Sequence, residues 1–378
     1  MRIAIPREAE TEPRVAATPD TVKKMKSLGA DVAVETGAGV RSGILDSDYE
    51  AAGATVAATA AEATGDADVV LKVRRPAADE IAQYKRGAIV IAIMDPYGNQ
   101  AALGELADAG LTAMAMELMP RITRAQSMDV LSSQANLAGY RAVIDAAAEF
   151  GRALPMMMTA AGTIPATRVF VMGAGVAGLQ AIATARRLGA IVTATDVRPA
   201  SKEQVESLGA KFVAVEDEEF KQAETAGGYA KEMSKEYQAK QAALVAEHIK
   251  KQDIVITTAL IPGRPAPRLI SKAMVASMRP GSVIVDLAVE RGGNVEGAVA
   301  GEMKERTGVK IVGYSNVGRI ATSASGLYAK NLYNFLEILI DKTTKSLAVK
   351  WDDEIVKATT LTRDGAIVHP NFKPKDAA

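Results

Sequence analysis

The sequence predicts an α/β protein built from two doubly wound, parallel-sheet domains that are linked by long crossing helices. Short apolar runs alternate with helical patterns through the first third of the chain, and a second series of the same kind begins at Arg168. A long helical pattern lies between the two series. A chain of 378 residues accommodates two such domains, since one domain takes roughly 100–200 residues.

The first domain is predicted to contain several short buried strands, with a helix after the first of them. Thr18, Pro19 and Asp20 indicate a helix start, because Thr caps the end, Pro suits the first turn and Asp favours the positive end of the helix dipole. Gly29 indicates the end of this helix. The predicted strands are Ile3–Ile5, Asp31–Val34, Val69–Val73, Ala88–Met94 and Leu111–Met116.

Two helical patterns are predicted to cross between the domains. The first, Leu131–Phe150, leads into an apolar, methionine-rich stretch, Pro155–Gly162, which we interpret as a buried interdomain segment. The second, Leu327–Ile340, returns the chain to the first domain. These connections predict a discontinuous first domain, 1–135 with 327–378, and a second domain at 136–326.

The second domain is predicted to form one complete dinucleotide-binding unit, so that both domains are Rossmann-like. The tail of the chain, after the returning helix, has strand-like stretches around two turns, at Trp351–Glu354 and at Arg363–Gly365. The six candidate strands of the second domain are Val169–Met172, Ile191–Thr195, Lys211–Ala214, Asp253–Thr257, Ser282–Asp286 and Lys310–Val312.

Composition excludes several classes of function. Lys and Arg number 45, and Asp and Glu also number 45, so the chain has no bulk charge with which to bind nucleic acid. The absence of Cys excludes disulfides, Cys-ligated zinc and a thiol nucleophile. With only two His, no metal site is expected. No apolar run approaches the roughly 20 residues of a membrane helix, so no direct membrane span is expected.

A glycine-rich turn carries the clearest chemical signal in the sequence. Gly173, Gly175 and Gly178 form the pattern G-x-G-x-x-G directly after a predicted strand. The first glycine permits a tight turn, the second lets the backbone approach a pyrophosphate, and the third lets the helix pack closely on the strand. The following helix, Leu179–Leu188, directs its first amides towards the phosphates. The alternative is a glycine turn that binds nothing.

An acidic residue at the end of the next strand indicates which dinucleotide is preferred. The carboxylate of Asp196, followed by Val197, accepts hydrogen bonds from a ribose diol and repels a 2′-phosphate, so NAD(H) is favoured over NADP(H). Arg198 is nearby and could accommodate a 2′-phosphate.

Two further segments have both a functional and a purely structural interpretation. Thr258, Ala259 and Leu260 follow the fourth strand and either line the cofactor cleft or only connect two elements. A polar segment at 120–134 either contributes to a cleft between the domains or simply caps the crossing helix, with Arg121 or Arg124 paired to Asp129.

A glycine-containing insertion and the two histidines complete the candidate list. Asp217–Lys235 is predicted to be either a mobile segment whose Tyr229 closes over nucleotide or a solvated linker. His248 lies in a charged helical pattern and is expected to face solvent, and His369 precedes a proline near the end of the chain. No imidazole is therefore evident for the proton transfer that most amino-acid and hydroxy-acid dehydrogenases need.

Five stretches give the chain a recognisable resemblance. It is similar over essentially its whole length to the NAD(H)-binding components, known as domain I or the alpha-1 subunit, of proton-translocating NAD(P) transhydrogenases. Alanine dehydrogenases are related and share the fold and a start like Ile5–Glu8. The stretches that carry the resemblance are Ala115–Arg121, Arg124–Asp129, Gly139–Ile144, Gly173–Gly178 and Ala223–Met233.

One position separates the two branches of this resemblance. Alanine dehydrogenases resemble the chain at Lys72 but carry a catalytic histidine after the strand that corresponds to Ala88–Met94. Here the sequence continues Asp95-Pro96-Tyr97. The missing imidazole suits direct hydride transfer between two nicotinamides, in which no proton moves at the reacting carbons and the catalytic task is positioning.

The resemblance implies a role for each candidate residue. Gln126 is expected to orient the nicotinamide ring, and Asp196 to accept the ribose hydroxyls. Tyr229 matches a tyrosine of a mobile loop that folds onto bound nucleotide. The expected nicotinamide-end residues are Arg121, Gln126, Asp129 and Ser132, and the expected nucleotide-binding residues are Gly173, Gly175, Val176, Gly178, Asp196, Val197, Thr258, Ala259, Leu260 and Tyr229.

The resemblance also implies partners and a location. It implies a homodimer that docks on a separate NADP(H)-binding subunit, while membrane subunits translocate protons. The chain is then cytoplasmic and peripheral on the inner face of the cell membrane, Re/Si-specific, and active only with its partners. An alanine-dehydrogenase-like amino-acid oxidoreductase and a non-catalytic NAD(H) sensor are the alternatives.

Overall fold

The computed structural model describes residues 1–221, 233–261, 263–314 and 317–373. Their contacts divide the chain into two compact units: Met1–Gln134 with Ile320–Ala378, and Ala135–Arg319. Each unit contains a mostly parallel sheet with helices between successive strands, so the predicted doubly wound α/β class is confirmed.

The strands and helices are numbered along the chain. The strands are β1 Arg2–Ile5, β2 Asp31–Glu35, β3 Thr55–Ala57, β4 Val69–Arg74, β5 Ile89–Ile93, β6 Thr112–Ala115, β7 Met157–Thr159, β8 Gly162–Ile164, β9 Arg168–Met172, β10 Ile191–Thr195, β11 Lys211–Phe212, β12 Ile254–Thr257, β13 Val283–Asp286, β14 Met303–Arg306, β15 Val309–Val312, β16 Ile340–Asp341, β17 Ser346–Leu347, β18 Thr362–Arg363 and β19 Ala366–Ile367. The helices are α1 Pro19–Ser27, α2 Asp46–Ala51, α3 Ala60–Thr64, α4 Ala78–Ile81, α5 Gln100–Asp108, α6 Val130–Glu149, α7 Val176–Arg187, α8 Ala200–Ser207, α9 Glu218–Lys221, α10 Lys235–Ile249, α11 Lys272–Ser277, α12 Ala321–Ile338 and α13 Glu354–Thr359.

The first unit is organised around a six-stranded parallel sheet in the order β3-β2-β1-β4-β5-β6. The order of strands reverses between β1 and β4, which in doubly wound sheets marks the crevice at the carboxyl ends of the strands. Successive residues of β1 face opposite sides of the sheet, as strand geometry requires: Ile3 and Ile5 join the core that includes Tyr328 and Phe335 of α12, whereas Ala4 joins the core on the other side.

The start of the first helix follows the sequence signals. Thr18 accepts a hydrogen bond from the Thr21 N–H and so caps α1, which begins at Pro19. Gly29, at φ 85°, follows the end of the helix in the left-handed conformation that favours glycine. The prediction for this helix is confirmed.

The second unit contains a seven-stranded sheet in the order β11-β10-β9-β12-β13-β15-β14. All six predicted strands are present and parallel, and β14 adds an antiparallel edge strand through its pairing with β15. The strand order reverses between β9 and β12, so the turn after β9 lies at the position where such sheets bind ligands.

The methionine-rich stretch differs from its prediction. Instead of a buried interdomain segment, β7 and β8 form a short antiparallel hairpin whose residues are all exposed. Met158 is 77% exposed. The apolar composition suggests burial, but within the described residues the hairpin strands pair only with each other.

The first of the two predicted tail turns is present, but it does not join two strands. Trp351–Glu354 leads into α13, whose first turn is capped by the Asp353 carboxylate, and the preceding hairpin is formed by β16 and β17 instead. The second turn is as predicted: Asp364 and Gly365 connect β18 to β19, both with positive φ, which suits an Asp-Gly hairpin turn. Among the described residues, no helix combines the length and the apolar character needed to cross a membrane.

Candidate functional site

The glycine turn of the second unit brings two backbone segments into direct contact. The Gly173 N–H donates to the Thr195 carbonyl at 2.8 Å, and Gly173 has φ 109°. A Cβ added to Gly178 would lie 1.8 Å from the Gly173 carbonyl oxygen. The start of α7 therefore packs against the turn at a distance that only glycine permits.

The middle glycine of the turn has a different environment. A Cβ added to Gly175 would meet nothing within 4 Å, so the backbone there borders open space. Gly175 is the N-cap of the 12-residue helix α7, and no side chain of the described residues caps the first amides of this helix. Uncapped amides at the positive end of a helix, beside an open glycine, fit the pyrophosphate of a dinucleotide.

Asp196 is held against the same turn. Its Oδ2 accepts the Ala174 N–H at 2.7 Å, and its Oδ1 accepts the Arg198 N–H at 2.9 Å and Nε–H at 3.0 Å. The carboxylate therefore fixes both the turn and the neighbouring guanidinium. Because Arg198 is paired with Asp196, a 2′-phosphate would have to compete with this carboxylate for the guanidinium.

The loop after β12 is fastened to the turn from the other side. The Thr258 hydroxyl donates to the Gly173 carbonyl at 3.2 Å. The Ala259 N–H donates to Asn294 Oδ1 at 3.0 Å, and Asn294 Nδ2 donates to the Ala259 carbonyl at 2.9 Å. Asn294 is fully buried. Sequence reasoning missed this residue, because no motif or spacing connects it with the loop that it holds.

Three apolar side chains of these segments are exposed. Val176, Val197 and Leu260 have exposed fractions of 41%, 42% and 53%. All three are among the predicted nucleotide-binding residues. Apolar surface beside a few fixed polar groups is typical of cofactor sites, where it contacts the bases and sugars.

The polar loop of the first unit is a 3-10 helix, Thr123–Met128, that leads into α6. Ala125 and Met128 are buried in the core, whereas Gln126 is exposed. The Gln126 side chain makes no hydrogen bond to the described residues, which leaves its amide available to a ligand. Arg121 is also exposed.

Asp129 and Ser132 are brought together at the start of α6. The Asp129 carboxylate accepts the Ser132 N–H at 2.9 Å and the Ser132 hydroxyl at 2.5 Å. Arg124 does not pair with Asp129, contrary to the structural interpretation of this segment. Arg124 instead donates to both oxygens of Asp353, and this hydrogen bonding holds the pKa of the Asp353 carboxyl below its usual range.

The remaining candidate residues, Tyr229 and the two histidines, belong neither to the glycine turn of the second unit nor to the polar loop of the first. Tyr229 lies outside the described residues. His248 is half-buried rather than solvent-facing, because its ring packs on Phe170 and contacts the Thr193 hydroxyl at 2.9 Å, and burial lowers its pKa. His369 is buried against Phe372. Within the described ranges, no group of three or more His, Asp or Glu residues is arranged to hold a metal ion.

The residue that follows β5 is held in an uncommon backbone conformation. Asp95 has φ 48°, and its N–H donates to the carboxylate of Glu117, which also accepts the Met94 N–H at 3.1 Å. Burial raises the pKa of Glu117. The Arg75 guanidinium donates to the Met94 carbonyl at 2.6 Å. A carboxylate and a guanidinium thus fix the turn after β5.

A buried ionic cluster lies at the carboxyl ends of β1 and β4. Lys72 Nζ contacts Glu80 and lies 3.8 Å from Glu8, and the Val73 N–H donates to Glu8 at 2.7 Å. Glu12 pairs with Arg14 at 2.7 Å. Burial would raise the pKa of Glu12, but the hydrogen bonds and charge of Arg14 outweigh burial and lower it.

The pKa of Glu8 shifts in the opposite direction from that of Glu12, because Glu8 lies 3.8 Å from its partner Lys72 whereas Glu12 lies 2.7 Å from Arg14. Burial raises the pKa of Glu8 from 4.5 to about 7, since the opposing effects of Lys72 and the Val73 N–H are smaller, and the negative charges of Glu12 and Glu80 add to the increase. The folded protein then binds more protons than the unfolded chain between pH 4.5 and about 7. Stability from this group is complete below pH 4.5 and is lost as the pH rises towards 7.

We expect Glu8→Gln to remove this loss of stability. Between pH 5 and pH 8 the wild-type first unit should lose on the order of 3 kcal/mol from this group, whereas the variant should lose much less. Trp351 is the single tryptophan of the chain and belongs to the first unit, so its fluorescence during urea unfolding reports on this unit. Glu50→Gln, the same change at an exposed position, is the control. Parallel pH profiles for all three proteins would contradict the assignment.

The chain is similar to known protein families and proteins along its length. Residues 4–138 match the N-terminal domain, and residues 142–370 the C-terminal domain, of the family "Alanine dehydrogenase/PNT". In Rhodospirillum rubrum, the protein named as the first part of NAD(P) transhydrogenase subunit alpha is 59% identical over 98% of both chains.

Two solved structures are also similar. The transhydrogenase from Sinorhizobium meliloti superposes with a TM-score of 0.89 and 66% identity, over 97% of this chain and 100% of that one. An L-alanine dehydrogenase superposes with a TM-score of 0.82 and 25% identity, over 98% of each chain. The fold is therefore shared by both, while the sequence is much nearer to the transhydrogenases.

Proposed function

Because the chain belongs to the alanine dehydrogenase/PNT family, we propose that it is the NAD(H)-binding subunit of a proton-translocating NAD(P) transhydrogenase. In this function it holds NADH for direct hydride transfer to NADP⁺ on a partner domain, and separate membrane subunits couple the reaction to proton movement. The R. rubrum relative is named as a portion of a transhydrogenase subunit, which supports this choice.

The observation that carries this choice within the family is the turn after β5. A dehydrogenase acting on an amino acid needs a group that takes up a proton when the hydride leaves. This chain has Asp95-Pro96-Tyr97 at the position of the alanine dehydrogenase histidine. The turn is built around the partly buried Glu117 carboxylate rather than around an imidazole.

The candidate site residues bind NADH and position its nicotinamide ring, and none of them has to move a proton. The glycine turn and the start of α7 bind the pyrophosphate, Asp196 accepts the ribose hydroxyls, and the apolar side chains Val176, Val197 and Leu260 contact the nucleotide. NADH supplies a hydride, a proton with two electrons, which NADP⁺ accepts. Gln126 orients the nicotinamide, and Arg121, Asp129 and Ser132 support it, so that the reacting carbons meet at about 3–3.5 Å.

The partners follow from the same proposal. An NADP(H)-binding subunit and membrane subunits complete the enzyme, and this chain lies in the cytoplasm on the inner face of the cell membrane, active only in the complex and Re/Si-specific. A homodimer is supported by the β7–β8 hairpin, which exposes Met157, Met158 and Ile164. Exposed apolar side chains of this kind are typical of surfaces that another chain covers.

Reconstitution tests the proposal. The purified chain is mixed with the NADP(H)-binding subunit, and transfer from NADH to a nicotinamide analogue of NADP⁺ is followed by absorbance. We expect transfer in the mixture and little with either protein alone. Reduction of NAD⁺ by alanine with this chain alone would favour the amino-acid oxidoreductase. NADH binding without transfer in a correctly assembled mixture would favour the sensor.

We expect Asp196→Ala to reduce the preference for NADH over NADPH. Hydrogen bonds to a charged group contribute roughly 1.5–3 kcal/mol, so NADH affinity should fall about 10- to 100-fold, while NADPH affinity falls less because repulsion of the 2′-phosphate is also lost. Equilibrium titration with both nucleotides gives the ratio. Since Asp196 also holds the Ala174 N–H, Asp196→Asn is the companion variant that keeps an acceptor there. Unchanged discrimination in both variants would remove the assignment.

A further inference from the structure

Two asparagines of α12 bind the loop that carries Gln126. The Ser127 carbonyl accepts the Nδ2–H of Asn331 at 2.8 Å and that of Asn334 at 3.0 Å. Asn331 Oδ1 in turn accepts the Ser133 hydroxyl at 2.7 Å. Asn331 is buried. It therefore bridges the end of the 3-10 helix and the start of α6, and fixes the backbone directly after Gln126.

A salt bridge fixes the same loop before Gln126. Arg124 donates to the two oxygens of Asp353 at 2.8 and 2.9 Å. Asp353 is itself held in place, because its carboxylate accepts the Ile355 N–H at 2.8 Å at the start of α13. A guanidinium that binds both oxygens of a carboxylate is restrained in orientation as well as in distance.

The core holds the loop from beneath. Ala125 and Met128 are 1% and 4% exposed, so the residues on either side of Gln126 and Ser127 are anchored among apolar side chains. Gln126 is thus an exposed side chain on a backbone restrained at three places. The side chain makes no hydrogen bond to the described residues, so only its backbone determines where its amide can reach.

We propose that Asn331 and the Arg124–Asp353 pair are positioning residues for hydride transfer, which act by fixing the backbone of Gln126. This inference rests on the proposed function. It extends that function to Asn331 and Asp353, which lie 204 and 229 positions further along the chain than the loop residues they contact. None of the three residues needs to touch nucleotide for this role.

The first test compares rate with affinity. In the reconstituted mixture, Asn331→Ala should slow hydride transfer roughly tenfold while the equilibrium affinity for NADH changes less than about twofold, because a small displacement of an orienting group lowers the rate without removing binding surface. Asn334→Ala should slow transfer less than about threefold, since the Ser127 carbonyl keeps its bond from Asn331. Equal losses in rate and affinity would overturn the proposal.

The second test needs no nucleotide. Hydrogen exchange of the free protein should be faster in residues 125–129 of Asn331→Ala than in wild type, while exchange in β1 and β4 stays unchanged. Unchanged exchange in the loop would overturn the proposal. If Asn331→Ala does not fold, Arg124→Lys replaces it in every test, because Arg124 is about half-exposed and its replacement creates no cavity.

The third test asks whether the effect passes through Gln126. In a Gln126→Ala background, Asn331→Ala should cause no further loss of rate, whereas a residue with a merely structural role would cause the same loss in both backgrounds. An inactive wild-type mixture would remove the proposed function together with this role. If the wild-type mixture is active and the Asn331 and Arg124 variants transfer hydride at the wild-type rate, only the positioning role is removed.

Discussion

Gln126→Asn is expected to slow hydride transfer by about 100-fold while leaving NADH affinity nearly unchanged. The variant keeps the amide but shortens the side chain by one methylene, so the amide no longer reaches the nicotinamide in the geometry that the reaction requires. The backbone cannot compensate, because it is held by Asn331 and by the core beneath Ala125 and Met128. Single-turnover rates in the reconstituted mixture and NADH titrations measure the two quantities separately.

Gln83→Asn provides the matched control for this prediction. It makes the same chemical change at an exposed position of the same unit, where the side chain donates to the Asp79 carbonyl. Its rate and affinity should equal those of wild type. Parallel losses of rate and affinity in Gln126→Asn would show that Gln126 contributes binding area rather than orientation.

Substitutions at two glycines of the turn are expected to have different effects, one on the stability of the second unit and the other on NADH binding. Gly178→Ala would place a methyl group against the Gly173 carbonyl, so the second unit should lose stability at the upper end of the roughly 1–3 kcal/mol range of over-packing. Gly175→Ala meets open space and should change stability by less than about 1 kcal/mol. It should nevertheless weaken NADH binding at least about tenfold, because the methyl group occupies the approach of the pyrophosphate.

Hydrogen exchange in β9 and α7 measures the stability of the second unit, and NADH fluorescence measures binding. The two variants control for each other, since both add one methyl group to the same turn. If Gly175→Ala binds NADH normally, the pyrophosphate does not approach at Gly175. If Gly178→Ala is as stable as wild type, the helix does not depend on the close contact.

Most of the fold was predictable because its strands are long enough to show a pattern. Every buried strand of four or more residues was predicted, and the family resemblance is confirmed by the matches along the chain. Strand β3 was missed because it has three residues, only one of which is buried. Edge strand β14 was missed because its sequence, Met303–Arg306, is mostly polar. The hairpin of β7 and β8 was misinterpreted because an apolar run does not say which chain covers it.

The arrangement of the candidate site residues was predictable where their segments are close in sequence. The glycine pattern and Asp196 are separated by one helix and one strand, so their relation follows from the order of elements. Asn294 and Asn331 were not predictable, because each contacts its loop across a long stretch of chain. Gly139 is a case in between: it belongs to a resembling stretch, but only the structure shows that a Cβ there would lie 2.0 Å from the Ala177 carbonyl on α7.

The discontinuity of the first unit has a consequence for synthesis. Residues on either side of the second unit complete the first one: the Val15 N–H and the Ser42 hydroxyl both contact the hydroxyl of Ser325 on α12, at 3.0 and 2.8 Å. A ribosome releases α12 only after it has translated the whole second unit. We therefore expect the second unit to fold first during translation. The six-stranded sheet remains without α12, which covers one of its faces, and is accessible to chaperones and proteases for most of the elongation time.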